Sequence, residues 1–302
     1  MERERLKLAV AQYPIGEPST MAEWREKVAQ WVARGAETGA ELLVFPEYGA
    51  IEVAATFGSA IASDLQQTLS AVASLADEMD AYYAELARRH DVHILAPSGP
   101  VRRADGRFVN AARLLTPSGR MGTQEKLIMT PFEREWGIAP GERLRVFDTA
   151  LGRIGVAICY DSEFPLLVRA QAETGADLVL VPSCTEFVSG YHRVRTAARA
   201  RALENQIATA QSPTVGDALW SPAVDRNAGA AGIYVPSEAN LSMTGILAEG
   251  RLNEPGWISA EIDFLALREL RSGGEMRNAA DWALQPGAQP LAQEVEVIDL
   301  EL

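Results

Sequence analysis

Three reactive side chains stand at or just after the ends of apolar or strand-like segments. Cys159 follows Arg153-Ile-Gly-Val-Ala-Ile158, Glu47 follows Leu42-Leu-Val-Phe-Pro46, and Lys126 closes Gln124-Glu-Lys126. A thiol, a carboxylate and an ammonium suffice for acyl transfer through a covalent intermediate. A free thiol ionises near pH ~8.5 and attacks poorly at neutral pH until a base takes its proton or nearby cations lower its pKa. A carboxylate within hydrogen-bond reach supplies the base. An ammonium and a backbone N–H supply the positive charge that a developing oxyanion needs. Each residue alone has an ordinary explanation. A cysteine after a buried strand is commonly inert core, a glutamate after proline a solvated turn residue, and a hairpin lysine a surface charge.

The elements that would gather these groups are legible as hydrophobic periodicity. Leu6, Leu8 and Val10 alternate with Lys7, Ala9 and Ala11, predicting a strand that ends near Tyr13-Pro14. Met21, Trp24, Val28, Trp31 and Val32 recur at helical spacing, with Gly35 and Gly39 near the stop. Leu42–Phe45 and Val92–Ala96 read as strands, separated by one long helix from Asp64 to Arg89. Phe108 to Lys126 reads as a hairpin turning at Thr116-Pro-Ser-Gly119. Further strands are expected at Arg145–Phe147, Ile154–Ile158, Asp177–Val181, Ile207–Gln211, Gly232–Val235, Gly245–Leu247 and Trp257–Ile262, with helices over Phe164–Thr174 and His192–Asn205. The last forty residues, containing Gly273-Gly274 and Pro286-Gly287, read as irregular.

Strands such as Leu42-Leu-Val-Phe45 and Leu178-Val-Leu-Val181 lack polar alternation, which calls for sheets covered by helices. The hairpins make such a sheet mixed. No Ser/Gly linker or repeat divides the chain, so the expectation is one α/β domain over 1–270 and an extended tail over 271–302. Strand ends of such sheets are where reactive groups converge.

Composition narrows the function classes. Of 302 residues, 47% are hydrophobic and 23% charged, as in ordinary globular proteins. No apolar run approaches the ~20 residues of a membrane span, and Met1-Glu-Arg-Glu-Arg5 has mixed charge and runs straight into a strand-like segment, so it does not read as a signal peptide. A cytoplasmic protein is expected. The formal net charge of −13 argues against nucleic acid or an anionic membrane as partner. Two well-separated cysteines make neither a disulfide framework nor a zinc site, and three histidines are too few for a metal cage. No cofactor is expected. Neither a Gly-x-Ser-x-Gly elbow, a P-loop nor His-Glu-x-x-His is present.

Leu43-Val-Phe-Pro-Glu47, Gln124-Glu-Lys126 and Gly155-Val-Ala-Ile-Cys159-Tyr160-Asp161-Ser-Glu-Phe164-Pro165 resemble, in order and separation, the three signature segments of the nitrilase superfamily of carbon–nitrogen hydrolases. Ala176-Asp-Leu-Val-Leu-Val-Pro-Ser183, Ala200-Arg-Ala-Leu-Glu-Asn205 and Ile258-Ser-Ala-Glu-Ile-Asp263 add to the resemblance, which runs from about Leu6 to Asp263. It implies a four-layer αββα sandwich, protomers paired into a homodimer or higher homo-oligomer, and a tail packed on the partner subunit. It also implies a Glu47–Lys126–Cys159 triad and a second glutamate between Lys126 and Pro140-Gly141. That second glutamate is Glu133, with Glu135 as the alternative.

The substrate implied is a small-molecule amide. Nitrilases of this superfamily carry Trp-Glu after the nucleophile and carbamoyl-amino-acid hydrolases carry Asn-Asp. Tyr160-Asp161 is similar to the amidases. Those amidases often place an arginine before Phe-Pro, where this chain has Glu163, which points away from an α-carboxylate substrate. Either Glu163 faces the pocket rim with Glu186, or it forms an ion pair with Arg169 or another arginine. Tyr160, Cys184 and His192 complete the candidate oxyanion and substrate positions. The alternatives are hydrolysis of an N-carbamoyl amine or a nitrile, acyl transfer to an amine, and a catalytically idle binding or scaffold relative.

Overall fold

The computed structural model describes residues 3–274 and 276–285. Its first strand shows how the sequence builds layers. Along β1 (Arg5–Pro14), Leu6, Leu8 and Val10 enter a core shared with Leu178, Leu180, Ala208 and Ala210, while Ala9, Ala11 and Tyr13 enter a second core with Trp24, Val28 and Val32. Successive strand side chains face opposite sides. A strand apolar on both sides therefore needs another sheet on one face and helices on the other.

The chain continues through α1 (Met21–Glu37), β2 (Leu42–Val44), a 3-10 stretch over Gly49–Phe57, α2 (Ser59–Ala62), α3 (Leu65–Ser74) and α4 (Ala76–His90). The β-arm of the first half follows as β3 (His93–Arg102), β4 (Phe108–Leu115) and β5 (Met121–Glu125), then α5 (Pro131–Trp136). The second half holds β6 (Val146–Thr149), β7 (Gly152–Val156), α6 (Pro165–Glu173), β8 (Leu178–Ser183), α7 (Val188–Asn205) and β9 (Ala208–Asp217). It closes with β10 (Arg226–Asn227), β11 (Gly232–Tyr234), β12 (Ile246–Glu249), β13 (Gly256–Asp263), α8 (Phe264–Gly273) and α9 (Asn278–Asp281).

One sheet runs β5-β4-β3-β2-β1-β13 and the other β6-β7-β8-β9-β11-β12. They join where Tyr13 and Pro14 pair with Thr214 and Val215. The parallel strands β1-β2-β3 and β7-β8-β9 form the two centres, with antiparallel strands outside them. Trp24, Val28 and Trp31 of α1 and Met79, Tyr83 and Leu86 of α4 cover the first sheet; Val168 of α6 and Val194, Ala198 and Ala202 of α7 cover the second. The result is a four-layer αββα sandwich. No helix among the described residues is long and apolar enough to cross a membrane.

The short elements at Gly49–Phe57, Ser59–Ala62, Pro131–Trp136 and Arg226–Asn227 have no counterpart in the sequence expectation, and two expectations are corrected. The long helix over Asp64 to Arg89 is two helices, α3 and α4, broken at Leu75. There the Ser74 hydroxyl donates back to the Ala71 carbonyl at 2.7 Å and Leu75 N–H bonds the Val72 carbonyl at 3.1 Å, tightening the last turn of α3. The expected irregular tail begins with helix α8, which crosses position 270. Asp263 caps it by accepting from Ala266 N–H at 2.9 Å, and Phe264 and Leu267 bury in the inter-sheet core. Arg268 and Arg271 tie this helix to Asp177 on the edge of β8. Residues 286–302 of the expected tail lie outside the described residues.

Candidate active site

Each candidate group is held by the backbone just past a strand. Pro46 lies beyond the end of β2, its carbonyl accepting from Ser98 N–H at 3.0 Å, and Tyr48 adopts a left-handed conformation (φ 54) behind Glu47. Lys126 extends β5, its N–H bonded to the Asn110 carbonyl at 2.8 Å and its carbonyl accepting from Gly141 N–H at 2.7 Å. A Cβ on Gly141 would lie 2.9 Å from the Glu125 carbonyl oxygen and 3.0 Å from that of Lys126, so this approach requires glycine. Cys159 itself is left-handed (φ 48), a conformation that costs a residue other than glycine ~1–3 kcal/mol and persists where surroundings enforce it. The Ser162 hydroxyl braces that turn by donating to the Cys159 carbonyl at 2.6 Å. Asp161 then links two of the three segments. Its carboxylate accepts from Leu127 N–H at 3.1 Å and Ile128 N–H at 2.8 Å, locking the residues after Lys126 to those after Cys159.

The three groups and Glu133 meet in the interior. The Lys126 ammonium donates to Glu47 Oε1 at 2.7 Å and to Glu133 Oε2 at 2.7 Å, with all three side chains essentially buried. Glu47 Oε2 accepts from the Cys184 N–H at 2.9 Å, and the Cys159 thiol approaches the Cys184 carbonyl at 3.8 Å. Tyr48 OH donates to Glu133 Oε1 at 2.8 Å, while Asn110 Nδ2 reaches Glu47 Oε1 at 3.0 Å and Glu133 Oε1 at 3.4 Å. Thr130 completes the cage by bonding Glu133 Oε2 through both its N–H and its hydroxyl at 2.9 Å, a capping box at the start of α5.

Two carboxylates around one ammonium leave excess negative charge, and burial amplifies it. Burial pushes Glu47 up from 4.5 to about 7 against the pull of Lys126, with the Glu133 charge adding to the rise. Burial also acts on Glu133, yet Lys126 and the Thr130 and Tyr48 donors bring it below its ordinary value. Burial pulls Lys126 down, but Glu47 and Glu133 outweigh it and hold the ammonium charged. Burial and the adjacent Glu47 push the Cys159 thiol well up, so in the resting site the thiol is protonated. A carboxylate titrating near neutrality beside a protonated thiol is the arrangement of a base poised to activate a nucleophile.

The remaining candidates are placed as follows. Tyr160 is half-buried, its ring edge-on to Phe164 at 4.9 Å. Cys184 contributes its backbone to both Glu47 and Cys159, and its thiol, pushed up to about 12 by burial, faces Asn227 Oδ1 at 3.3 Å. Glu163 pairs with Arg193 on α7 at 3.3 Å, the ion-pair arrangement with a partner other than Arg169. Glu186 and His192 are exposed, the imidazole 4.9 Å from the Tyr191 ring. Glu135 is exposed, and Glu133 is the glutamate that reaches Lys126. Asn110, Tyr48 and Asp161 belong to the cage but carry no role in the sequence reading. Of the supporting contacts, only the spacing Thr130-Pro-Phe-Glu133 is a recognisable local signal.

Comparisons with known proteins bear on the family and the fold. The model of the carbon-nitrogen hydrolase family matches residues 7–271. Bacillus subtilis YhcX, named a probable hydrolase, is 32% identical over 91% of this chain, which spans 53% of that protein's length. An omega-amidase of Xenopus laevis is 23% identical over 88% of this chain and 92% of its own. Among solved structures, the Saccharomyces cerevisiae nitrilase-superfamily member Nit3 superposes with a TM-score of 0.71 at 22% identity, covering 91% of this chain and 96% of that one. An amidase from Nesterenkonia sp. AN1, carrying the acetamide moiety of fluoroacetamide on its active-site cysteine, gives 0.71 at 22% identity and 97% coverage of both chains. The family model's match over nearly the whole chain places this protein in the carbon–nitrogen hydrolase family, and the solved structures share its fold.

Proposed function

We propose that the protein hydrolyses a small carboxamide through a thioester on Cys159. The observation that carries this reading is the Lys126 ammonium bridging Glu47 and Glu133 at 2.7 Å each, beside the Cys159 thiol. Glu47 takes the thiol proton and the thiolate attacks the amide carbon. Lys126 and the backbone N–H of Tyr160 face the oxyanion as it develops. Glu47 passes its proton to the departing amine as the carbon–nitrogen bond breaks, leaving the thioester. A water deprotonated by Glu47 then releases the acid and restores the thiol. Glu133 orients Lys126 throughout. The amidase names among the relatives support an amide over a nitrile.

Glu163 stands four residues after the nucleophile and is paired with Arg193 at 3.3 Å, so its charge is matched and does not select against an α-carboxylate. Kinetics on a dicarboxylic monoamide against a matched amino-amide would read the substrate's charge directly. The reading extends to a homodimer or higher homo-oligomer acting in the cytoplasm.

The deciding experiment is mass spectrometry after incubation with a panel of amides. An acyl adduct on Cys159 is expected, absent from Cys159→Ala, with ammonia or an amine as co-product. Carbon dioxide released with ammonia would mark an N-carbamoyl substrate instead. An unmodified cysteine across amides, carbamoyl amines and nitriles would indicate an idle relative.

A further inference from the structure

Asn110 is fully buried on β4, opposite Pro100 of β3, and its amide is committed in an unusual way. Nδ2 spans the two acids of the site, Glu47 Oε1 at 3.0 Å and Glu133 Oε1 at 3.4 Å, whereas Oδ1 is buried without a partner among the described residues. The orientation is forced, because turning the amide over would set an acceptor against two carboxylates. A buried acceptor left unmatched is rare in folded proteins and calls for an explanation. Packing alone would be served better by an apolar side chain of the same size.

We infer that Asn110 is a positioning residue that reserves Glu47 Oε2 for the proton of Cys159. A carboxylate oxygen has two acceptor sites. On Oε1, Lys126 at 2.7 Å and Asn110 at 3.0 Å fill both. On Oε2 the Cys184 N–H at 2.9 Å fills one and leaves the other open. The same residue's carbonyl lies 3.8 Å from the Cys159 sulfur, and the Glu47 carboxylate and the Cys159 thiol are within hydrogen-bonding reach of each other, so the open site is available to the thiol. Asn110 thus acts through Glu47, and it also places a non-ionising donor between two acids that would otherwise repel one another. The titratable groups around Glu47 are Lys126, Glu133, Cys159 and Cys184, with Tyr48 and Asp161 behind them.

This inference rests on the reading of Glu47 as base, and its test is independent of any amide substrate. Iodoacetamide alkylation of Cys159, followed by intact-mass spectrometry across pH, measures how readily the thiol gives up its proton. In Asn110→Leu, which keeps the volume and removes the donor, the midpoint of the alkylation profile should rise by about one pH unit and the neutral-pH rate fall ~10-fold, the factor that one unit represents. Asn110→Ser, which restores a hydroxyl donor, should recover part of that loss. Where an amide substrate is in hand, kcat should fall with KM unchanged. A merely structural asparagine predicts a lowered melting temperature with an unmoved midpoint, and that result overturns the inference. Should Asn110→Leu fail to fold, the same midpoint comparison between Asn110→Ser and Asn110→Ala decides it, with equal midpoints overturning it. A wild-type thiol that alkylates with the expected limb but acylates with no amide defeats the proposed function and leaves this test standing. A wild-type profile without such a limb overturns both.

Discussion

Two buried glutamates close together in the chain each pair with a lysine from elsewhere in it, and only one of the two clusters has the makings of a reactive site. Five positions after Glu47, Glu52 is equally buried. Its Oε1 accepts from Tyr13 OH at 2.6 Å, and its Oε2 from Gly16 N–H at 2.9 Å and the Lys27 ammonium at 2.5 Å. Lys27 also donates to the Pro14 carbonyl at 2.6 Å and lies 4.2 Å from the centre of the Tyr13 ring. One acid meets one base. This cluster staples α1 to the end of β1. Around Lys126 two acids share one base, a thiol stands beside them, Asn110 keeps an orphaned acceptor, and Tyr48 and Cys159 are both left-handed. Burial is common to both. Charge imbalance, a neighbouring thiol and backbone strain are what separate them.

The sharpest break between the clusters is at the nucleophile, which the Glu52 cluster lacks. Cys159→Ala should lower amide turnover by at least ~10⁴-fold while leaving the melting temperature nearly unchanged, since units of catalytic residues lose most of their power when one member goes. Steady-state kinetics on an active amide would check it. Residual activity within tenfold of wild type would erase the distinction.

Next in size is a matched pair of substitutions. Lys126→Met strands two buried carboxylates, and breaking a buried ion pair from one side destabilises by ~3–5 kcal/mol. It also removes the proposed oxyanion donor, a loss worth ~10²–10³-fold in kcat. Lys27→Met strands one carboxylate that keeps the Tyr13 and Gly16 donors, and the lysine side chain is 24% exposed. It should cost less stability and leave kcat within ~3-fold. Denaturant titration and kinetics on both variants read the two effects separately. Equal losses of kcat would mean that the clusters do not differ in kind.

Much of this contrast was legible in the sequence, and the remainder was not, for physical reasons. Glu47, Lys126 and Cys159 each have an ordinary explanation alone; what picks them out together is the resemblance of their three segments to the signature segments of the nitrilase superfamily. Glu133 was narrowed to two positions, and the capping box with Thr130 now gives the reason for choosing it. Asn110 and Tyr48 give no such signal. Their partners lie 63 and 85 positions away, and a polar residue in a hairpin or after a glutamate is unremarkable until the fold brings those partners in. The strand and layer pattern came through for a local reason: Leu6, Leu8 and Val10 against Ala9 and Ala11 already contain both faces of β1. The break at Leu75 did not, because it depends on the Ser74 hydroxyl competing for a helical carbonyl. Helix α8 was hidden by its closing Gly273-Gly274.

The burial of Glu47, with a second acid nearby, has a pH consequence. With Glu47 raised from 4.5 to about 7, kcat/KM should climb through pH 7, about tenfold per unit on the acid side, as the base becomes available. Stability runs the other way. Between those two values the folded protein holds a proton that the unfolded chain has released, so the Glu47 contribution to stability falls as pH rises through the window. The site therefore gains activity over the range in which it loses stability. A kcat/KM profile flat on the acid side would remove Glu47 as the base.

Tyr48→Phe probes the outermost contact of the cage and should have the smallest effect. The hydroxyl donates to Glu133 Oε1 at 2.8 Å, and its loss leaves that oxygen only the long Asn110 contact at 3.4 Å. A hydrogen bond to a charged group contributes ~1.5–3 kcal/mol, but Glu133 acts on Lys126 rather than on the reacting atoms, so only part of this reaches the transition state. The expected result is a fall in kcat of less than ~10-fold, KM unchanged, and a stability loss of ~1–2 kcal/mol because the isosteric ring still packs edge-on against Trp136. The equivalent removal at the other cluster, Tyr13→Phe, takes a donor from Glu52 at 2.6 Å and should cost similar stability with no change in kcat. If the two phenylalanine variants prove kinetically indistinguishable, Glu133 is a structural ion-pair partner like Glu52, and orienting Lys126 needs only Glu47.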